Sequence, residues 1–139
     1  RDETPFSIIM VDLDRFKNIN DQYGHQVGDL ALNAAARSLA ANIRKTDQIG
    51  RFGGEEFLVL LPNTARQAAE AVAQRARSEL DGVPVPVSGS PLTLSGSFGV
   101  ASLPADKSQA SGQDLIFRVD QALFASKERG RNRVEAAEA

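Results

Sequence analysis

Arg51-Phe52-Gly53-Gly54-Glu55-Glu56-Phe57-Leu58-Val59-Leu60-Leu61-Pro62 sets two glycines and two carboxylates between apolar, strand-like runs. Glycine has no Cβ and reaches positive φ easily, so a glycine pair lets a backbone come close to a ligand. Adjacent carboxylates at such a tip supply the hard oxygen donors that a divalent cation needs. Taken alone, the segment reads equally as an ordinary β-hairpin with a solvated acidic turn. Its surroundings decide.

Upstream, Phe6-Ser7-Ile8-Ile9-Met10-Val11 is a nearly continuous apolar run rich in β-branched residues, which predicts a buried strand. It ends in Asp12-Leu13-Asp14. A short helical or turn segment follows over residues 15–23, with Gly24-His25 and Gly28 as punctuation. From Asp29 to Ile43, Leu32, Ala35, Ala36, Leu39 and Ile43 recur at helical spacing, the pattern of an amphipathic helix. Downstream, Phe57 to Leu61 forms the second strand of the hairpin. Thr64-Ala65-Arg66-Gln67 then matches a capping box before an alanine-rich helix that runs to Leu80. Residues 82–91 are a turn-rich connection with room for a short edge strand. Leu92 to Leu103 reads as one strand interrupted at Gly96 and Gly99. Ser111 and Asp114 open a third long helix through about Arg129, with Ile116, Val119 and Leu123 on one face, and Gly130 stops it. Asn132-Arg133-Val134 begins a last strand, and residues 135–139 read as a frayed tail. The order β-α-β-β-α-β-α-β predicts an α+β fold, a central and mostly antiparallel sheet flanked by helices.

The 139 residues are read as one domain, long enough to bury a core. A formal charge of -2 gives no basic field, which argues against a nucleic-acid polymer as partner, although a few local cations can hold a single nucleotide. The chain has no cysteine, so disulfides and thiolate metal sites are excluded and a reducing compartment fits. No apolar run approaches a membrane span, and the charged start Arg1-Asp2-Glu3 is unlike a signal peptide. The expectation is a soluble, cytoplasmic domain that makes no membrane contact of its own.

Asp12 and Asp14 close the first strand on a turn. A strand-end carboxylate beside an acidic hairpin tip suits two-metal phosphoryl or nucleotidyl transfer, one metal activating a hydroxyl and the other steadying the triphosphate. Asp12 with either Glu55 or Glu56 can supply the ligands if strand and hairpin are neighbours. Asp-x-Asp after a strand also suits a helix N-cap, and Asp14 fits that duty. Lys17 lies on a turn whose free amides can meet phosphate oxygens, or is simply solvated. No Gly-x-x-x-x-Gly-Lys-Ser/Thr stretch occurs, which closes the P-loop route. Asn20, His25 and Asp29 flank glycine breaks. A side-chain amide and a carboxylate can pair with the edge of guanine, but turn and cap duties account for each as well. His25 is the only histidine, so neither a histidine metal site nor a His-Asp-Ser relay can be assembled. Lys127 and Arg131 flank Gly130, where cations complement a helix dipole or reach back to a triphosphate.

In this order the pieces resemble the GGDEF family of diguanylate cyclases, from about Phe6 to Val134. The match comprises Asp12-Leu13-Asp14-Arg15-Phe16-Lys17-Asn18-Ile19-Asn20-Asp21, Gly24-His25, Gly28-Asp29, Gly53-Gly54-Glu55-Glu56-Phe57, Ser97-Phe98-Gly99-Val100, and Asp120-Gln121-Ala122-Leu123 through Lys127 to Gly130-Arg131-Asn132. The resemblance implies a fold similar to nucleotidyl cyclases and polymerase palms, with a ferredoxin-like core. It implies two GTP molecules on two facing subunits, condensed to cyclic di-GMP and two pyrophosphates. Asp12, the Leu13 carbonyl and Glu55 would bind Mg²⁺ or Mn²⁺, two per active site. Glu55 would also accept the proton of the attacking hydroxyl, with Glu56 equally required, and Lys17 would stabilise phosphate charge. Asn20, His25 and Asp29 would hold the guanosine. Phe16, Lys17, Lys127 and Arg131 would line the phosphates, and Gly53 and Gly54 would leave room for the nucleotide.

The same resemblance makes Arg44-Lys45-Thr46-Asp47 an Arg-x-x-Asp inhibitory site for cyclic di-GMP, with Arg75 contributing from the next helix. Relatives carry an Asp-x-Leu-Thr-Gly-Leu-x-Asn-Arg-Arg stretch and a helix before the first strand. The expectation is therefore a catalytic domain at residues 1–139 without that helix, within a longer signalling protein. Phe124 stands for a usual tyrosine, Ser126 for a usual alanine and Glu55 for aspartate. The competing class is a catalytically silent module that binds GTP or cyclic di-GMP as a receptor. Another palm-like nucleotidyl transferase is disfavoured by the Asn20/Asp29 pair.

Overall fold

The structure is a computed structural model describing residues 4–87, 89, 92–103 and 112–137. In chain order it contains β1 (Phe6–Leu13), α1 (Phe16–Tyr23), α2 (His25–Ala40), β2 (Gln48–Arg51), β3 (Glu56–Pro62) and α3 (Arg66–Leu80). There follow β4 (Pro84–Val85), β5 (Leu92–Thr93), β6 (Gly96–Leu103), α4 (Gly112–Glu128) and β7 (Val134–Ala136). Five strands form one sheet in the order β2-β3-β1-β6-β7, and β4 pairs with β5 as a separate ribbon. All pairs in the main sheet are antiparallel except β6 with β7. The four strands β2-β3-β1-β6, with crossovers through α1–α2 and α3, are a ferredoxin-like core.

The apolar run of β1 is explained by its place, since a central strand covered by helices must be apolar on both faces. Ile9, Val11 and Leu13 join Phe57, Val59, Leu61, Phe98 and Val100 in the cluster that packs under α2 and α3. Ile8 and Met10 point the other way, to Leu115, Val119 and Leu123 of α4. Gly99 lets α4 lie directly on the sheet: a Cβ there would sit 2.5 Å from the Leu123 nitrogen and 2.7 Å from the Val119 oxygen. Among the described residues no helix is long and apolar enough to cross a membrane.

Several local expectations need correction. The helix predicted over 29–43 spans His25–Ala40, because Gly24 (φ 92°) is the only break between α1 and α2. Gly28 is buried inside that helix, and Asp29 caps nothing. Asp14 is no cap either, since Arg15 occupies the N-cap of α1 with φ 56°. The Thr64 capping box is not formed: Ala65 is the N-cap of α3 without a side-chain bond, and the Thr64 hydroxyl donates to the Pro62 carbonyl at 2.9 Å. Leu92–Leu103 is two strands in two sheets, because β5 turns away to pair with β4. The last strand begins at Val134, and Glu135 and Ala136 belong to it rather than to a tail; the Ala137 N–H continues the pairing to the Val100 carbonyl at 2.7 Å. The Ser111 opening of α4, Pro91, the start Arg1-Asp2-Glu3 and the end of the tail at 138–139 lie outside the described residues.

Candidate active site

β1 and β3 are antiparallel neighbours, and their register sets Asp12 opposite Glu56. One step further the Leu13 N–H donates to the Glu55 carbonyl at 3.2 Å. The strand-end aspartate and the acidic tip therefore adjoin. The tip is closed by the Phe52 N–H donating to the Glu56 carbonyl at 2.8 Å. Arg51 braces it from outside, its Nη2 donating to the Gly54 carbonyl at 2.8 Å and its Nε to the Gly53 carbonyl at 3.4 Å. Neither Gly53 nor Gly54 has positive φ; at Gly54 an added Cβ would meet no atom within 4 Å, so what glycine supplies there is open space.

Asp12 is buried, and Lys127, in the last turn of α4, donates from Nζ to its Oδ2. Glu56 binds its proton more tightly than an ordinary glutamate. Burial is the main cause, the charges of Asp12, Glu55 and Asp120 add to it, and Lys127 opposes. Among the described residues no three His, Cys, Asp or Glu side chains converge as a metal cage. The candidate donors that the sequence offers are two carboxylates, Asp12 and Glu55, and the Leu13 carbonyl, which the strand register brings to one end of the sheet. A hard cation such as Mg²⁺ is commonly held by one or two carboxylates with substrate phosphates completing its shell, so these residues fit such an ion.

Next to the tip lies a cavity of about 510 Å³ lined by Phe16, Lys17, Asn20, His25, Asp29, Leu32, Arg51, Gly54 and Glu55. That volume suits a nucleotide-sized ligand. α1 brings Phe16, Lys17 and Asn20; α2 brings His25, Asp29 and Leu32; the hairpin brings the rest. Gly28 sets the closeness of the two helices, because a Cβ there would sit 1.9 Å from Asn20 Oδ1. Glu55 belongs to both parts, lining the cavity while its carbonyl bonds β1 beside Asp12. Arg131 stands apart: exposed, with φ 63°, in the turn after α4.

Sequence reasoning missed Arg51 and Leu32 as cavity residues. Leu32 read as core, which it also is, and a single arginine before a glycine pair carries no signal of its brace. It also missed the duty of Asp14, which accepts the hydroxyls of Ser95 and Ser97, each at 2.6 Å.

A second cleft, of about 350 Å³, brings Arg44, Asp47 and Arg75 together with Asn42, Thr64 and Val72. Arg44 grips the buried Asp47 carboxylate, with Nη2 to Oδ1 at 3.1 Å and Nε to Oδ2 at 3.3 Å, and its Nη2 also donates to Thr64 Oγ1 at 2.7 Å. Arg75 donates from Nε to Asn42 Oδ1 at 2.9 Å.

Comparison with known proteins points the same way. A family model described as "Diguanylate cyclase, GGDEF domain" matches residues 1–133. Diguanylate cyclase A of Treponema denticola is 43% identical over 128 residues, which cover 92% of this chain and 34% of that protein. The GGDEF domain of DgcB from Caulobacter crescentus, solved in complex with c-di-GMP, superposes with a TM-score of 0.90 at 31% identity, over 98% of this chain and 80% of that one. The active GGEEF domain of a diguanylate cyclase from Vibrio cholerae gives 0.88 at 34% identity, over 98% of this chain and 85% of that one. The chain spans about a third or less of the length of curated relatives such as Diguanylate cyclase A (34%) and DgcP of Pseudomonas aeruginosa (20%).

Proposed function

The chain belongs to the GGDEF-domain family of diguanylate cyclases, and on that premise we propose that it condenses two GTP into cyclic di-GMP and two pyrophosphates. In each half-reaction the 3′-oxygen of one GTP attacks the α-phosphorus of the other, and the bond from that phosphorus to pyrophosphate breaks. Each domain holds one nucleotide, so two copies face each other. The reading is carried by Glu55, which lines the nucleotide-sized cavity and is bonded through its carbonyl to the strand end that bears Asp12.

Asn20 and Asp29 read the base, the carboxylate accepting from guanine N1–H and the exocyclic amine while the amide serves the neighbouring edge. His25 and Phe16 wall the guanosine and the phosphate end, and Lys17 meets the phosphates. Asp12, the Leu13 carbonyl and Glu55 would hold Mg²⁺ or Mn²⁺, two ions in the complete site, which when bound supply activation of the attacking hydroxyl and neutralisation of the triphosphate. Glu55 receives the proton of that hydroxyl. Lys127 exchanges its hold on Asp12 for the terminal phosphates, where Arg131 joins it. The second cleft binds the product, arginine forks meeting guanine and phosphate, and cross-links domains in an unproductive arrangement. The domain works as the output of a longer, cytoplasmic signalling protein.

Incubating the complete polypeptide with GTP and Mg²⁺ and separating nucleotides by chromatography tests the reading. Cyclic di-GMP and pyrophosphate are expected in a ratio of about one to two, as the balanced reaction demands. Unchanged GTP from a folded, demonstrably dimeric protein would favour a receptor module instead.

A further inference from the structure

Gly130, Arg131 and Asn132 follow one another with φ of 125°, 63° and 46°. Positive φ is easy for glycine, tolerated by asparagine and unfavourable for arginine, and such backbone persists only where its neighbours over-determine it. Asp14 is the centre of that restraint. Its Oδ2 accepts the Asn132 N–H at 3.1 Å and the Ser95 hydroxyl at 2.6 Å, while Oδ1 accepts the Ser97 hydroxyl at 2.6 Å. The Asp14 N–H donates in turn to the Ser95 carbonyl at 2.9 Å. From the other side, Asn132 Oδ1 accepts Arg77 Nη1 at 3.0 Å, and Asn132 Nδ2 donates to Asp81 Oδ2 at 3.2 Å. The Arg131 N–H is tied to the Ser126 carbonyl at 3.0 Å. The turn's backbone is thus fixed on several sides while the Arg131 residue itself is exposed.

We infer that Asp14 is a positioning residue, which locks the turn presenting Arg131 to the strand end presenting Asp12 and so sets the phosphate-gripping guanidinium at a fixed place relative to the carboxylates. The inference rests on the assignment of Arg131 to the terminal phosphates under the proposed function. Asp14 does not line the nucleotide-sized cavity. Its carboxylate is saturated by donors from the start of β6 and from the turn, and it lies just past the metal-ligand candidate in sequence. A merely structural role would lower stability without a selective effect on GTP binding.

The test is a double-mutant cycle on the complete polypeptide, with Asp14→Asn, Arg131→Ala and the pair, read as kcat and KM for GTP. Asp14→Asn keeps the volume and removes the charge that the donors share. KM is expected to rise about fivefold for Asp14→Asn and about tenfold for Arg131→Ala, the size of a weakened or lost charge-assisted contact. The double variant should match Arg131→Ala within about twofold, as coupled residues do, and kcat should change less than about threefold throughout. Without nucleotide, hydrogen exchange at the Asn132 amide should quicken about tenfold or more in Asp14→Asn. Effects on KM that multiply, or a loss confined to kcat, overturn the inference and leave the reading of Arg131 standing. A normal KM in Arg131→Ala overturns that reading and the inference with it. If Asp14→Asn does not fold, Ser95→Ala loosens the same carboxylate. It should raise KM about twofold in the parent and not at all beside Arg131→Ala, and multiplication there is equally fatal.

Discussion

Asp12 is 5% exposed and paired with Lys127, whereas Asp14, just beyond the end of β1, is saturated by two hydroxyls and a backbone amide. Two aspartates that look equivalent in the sequence therefore do different work, because Asp12 still lies in the ladder opposite Glu56 while the chain has turned by Asp14. At this scale Glu55→Ala is expected to lower product formation by about a thousandfold or more, the size of losing the group that takes the proton of the attacking hydroxyl. Glu56→Ala, which empties the position opposite Asp12, is expected to abolish it as well. A quantitative product assay on folded variants checks this. Glu56 also gives a pH signature. The folded protein holds its proton more tightly than the unfolded chain, so stability falls as pH rises from the ordinary value of 4.5 through the raised one. Glu56→Gln cannot ionise. In chelator-treated protein its melting temperature is expected to exceed that of the parent at neutral pH, with the gap closing below the ordinary carboxylate range. Thermal melts across pH read this directly, and a gap independent of pH contradicts it. The sequence exposed the acids but not the pairing of Asp12 with Lys127, since that contact joins residues 115 apart through the docking of α4.

α1 and α2 form one side of the cavity, the side proposed to take the guanosine, and their spacing depends on Gly28. Gly28→Ala drives a Cβ into Asn20 Oδ1, the movable end of a side chain, so the expected result is a small stability loss of about 1 kcal/mol. Displacing Asn20 from the base should raise KM for GTP about tenfold, the effect of one lost polar contact. Gly99→Ala makes the contrast. There the obstruction is the backbone of α4, which cannot rotate aside, and about 3 kcal/mol of stability should be lost. Paired denaturation curves and steady-state kinetics separate the two. A continuous apolar run revealed β1, and helical periodicity revealed α4, because burial imposes both patterns. Pattern misplaced the start of α2 because Gly28 read as a break, when it is a helix residue made small by the neighbouring helix. It merged β5 with β6 because both are apolar, and only pairing in three dimensions assigns them to different sheets.

Over the whole molecule, the cavity beside the hairpin tip and the Arg44–Asp47–Arg75 cleft have no lining residue in common. Arg44→Ala is expected to raise the cyclic di-GMP concentration that halves activity by about tenfold or more, corresponding to the loss of a charge-assisted contact, while initial rates without product stay near the parent's. Inhibition curves that overlay those of the parent would remove the regulatory assignment. The order of elements and the motif set were readable because they lie in contiguous stretches. The convergence of β1, the hairpin and α4 was not, since it follows from the β2-β3-β1-β6-β7 sheet order. The central claim is that guanine and cation share one site joined at Glu55. Anomalous scattering from Mn²⁺ in crystals grown with a non-reactive GTP analogue tests it most directly. The account expects a peak within about 2.3 Å of oxygens from Asp12 and Glu55, with guanine against Asn20 and Asp29. A peak elsewhere, or a nucleotide outside that cavity, would contradict it.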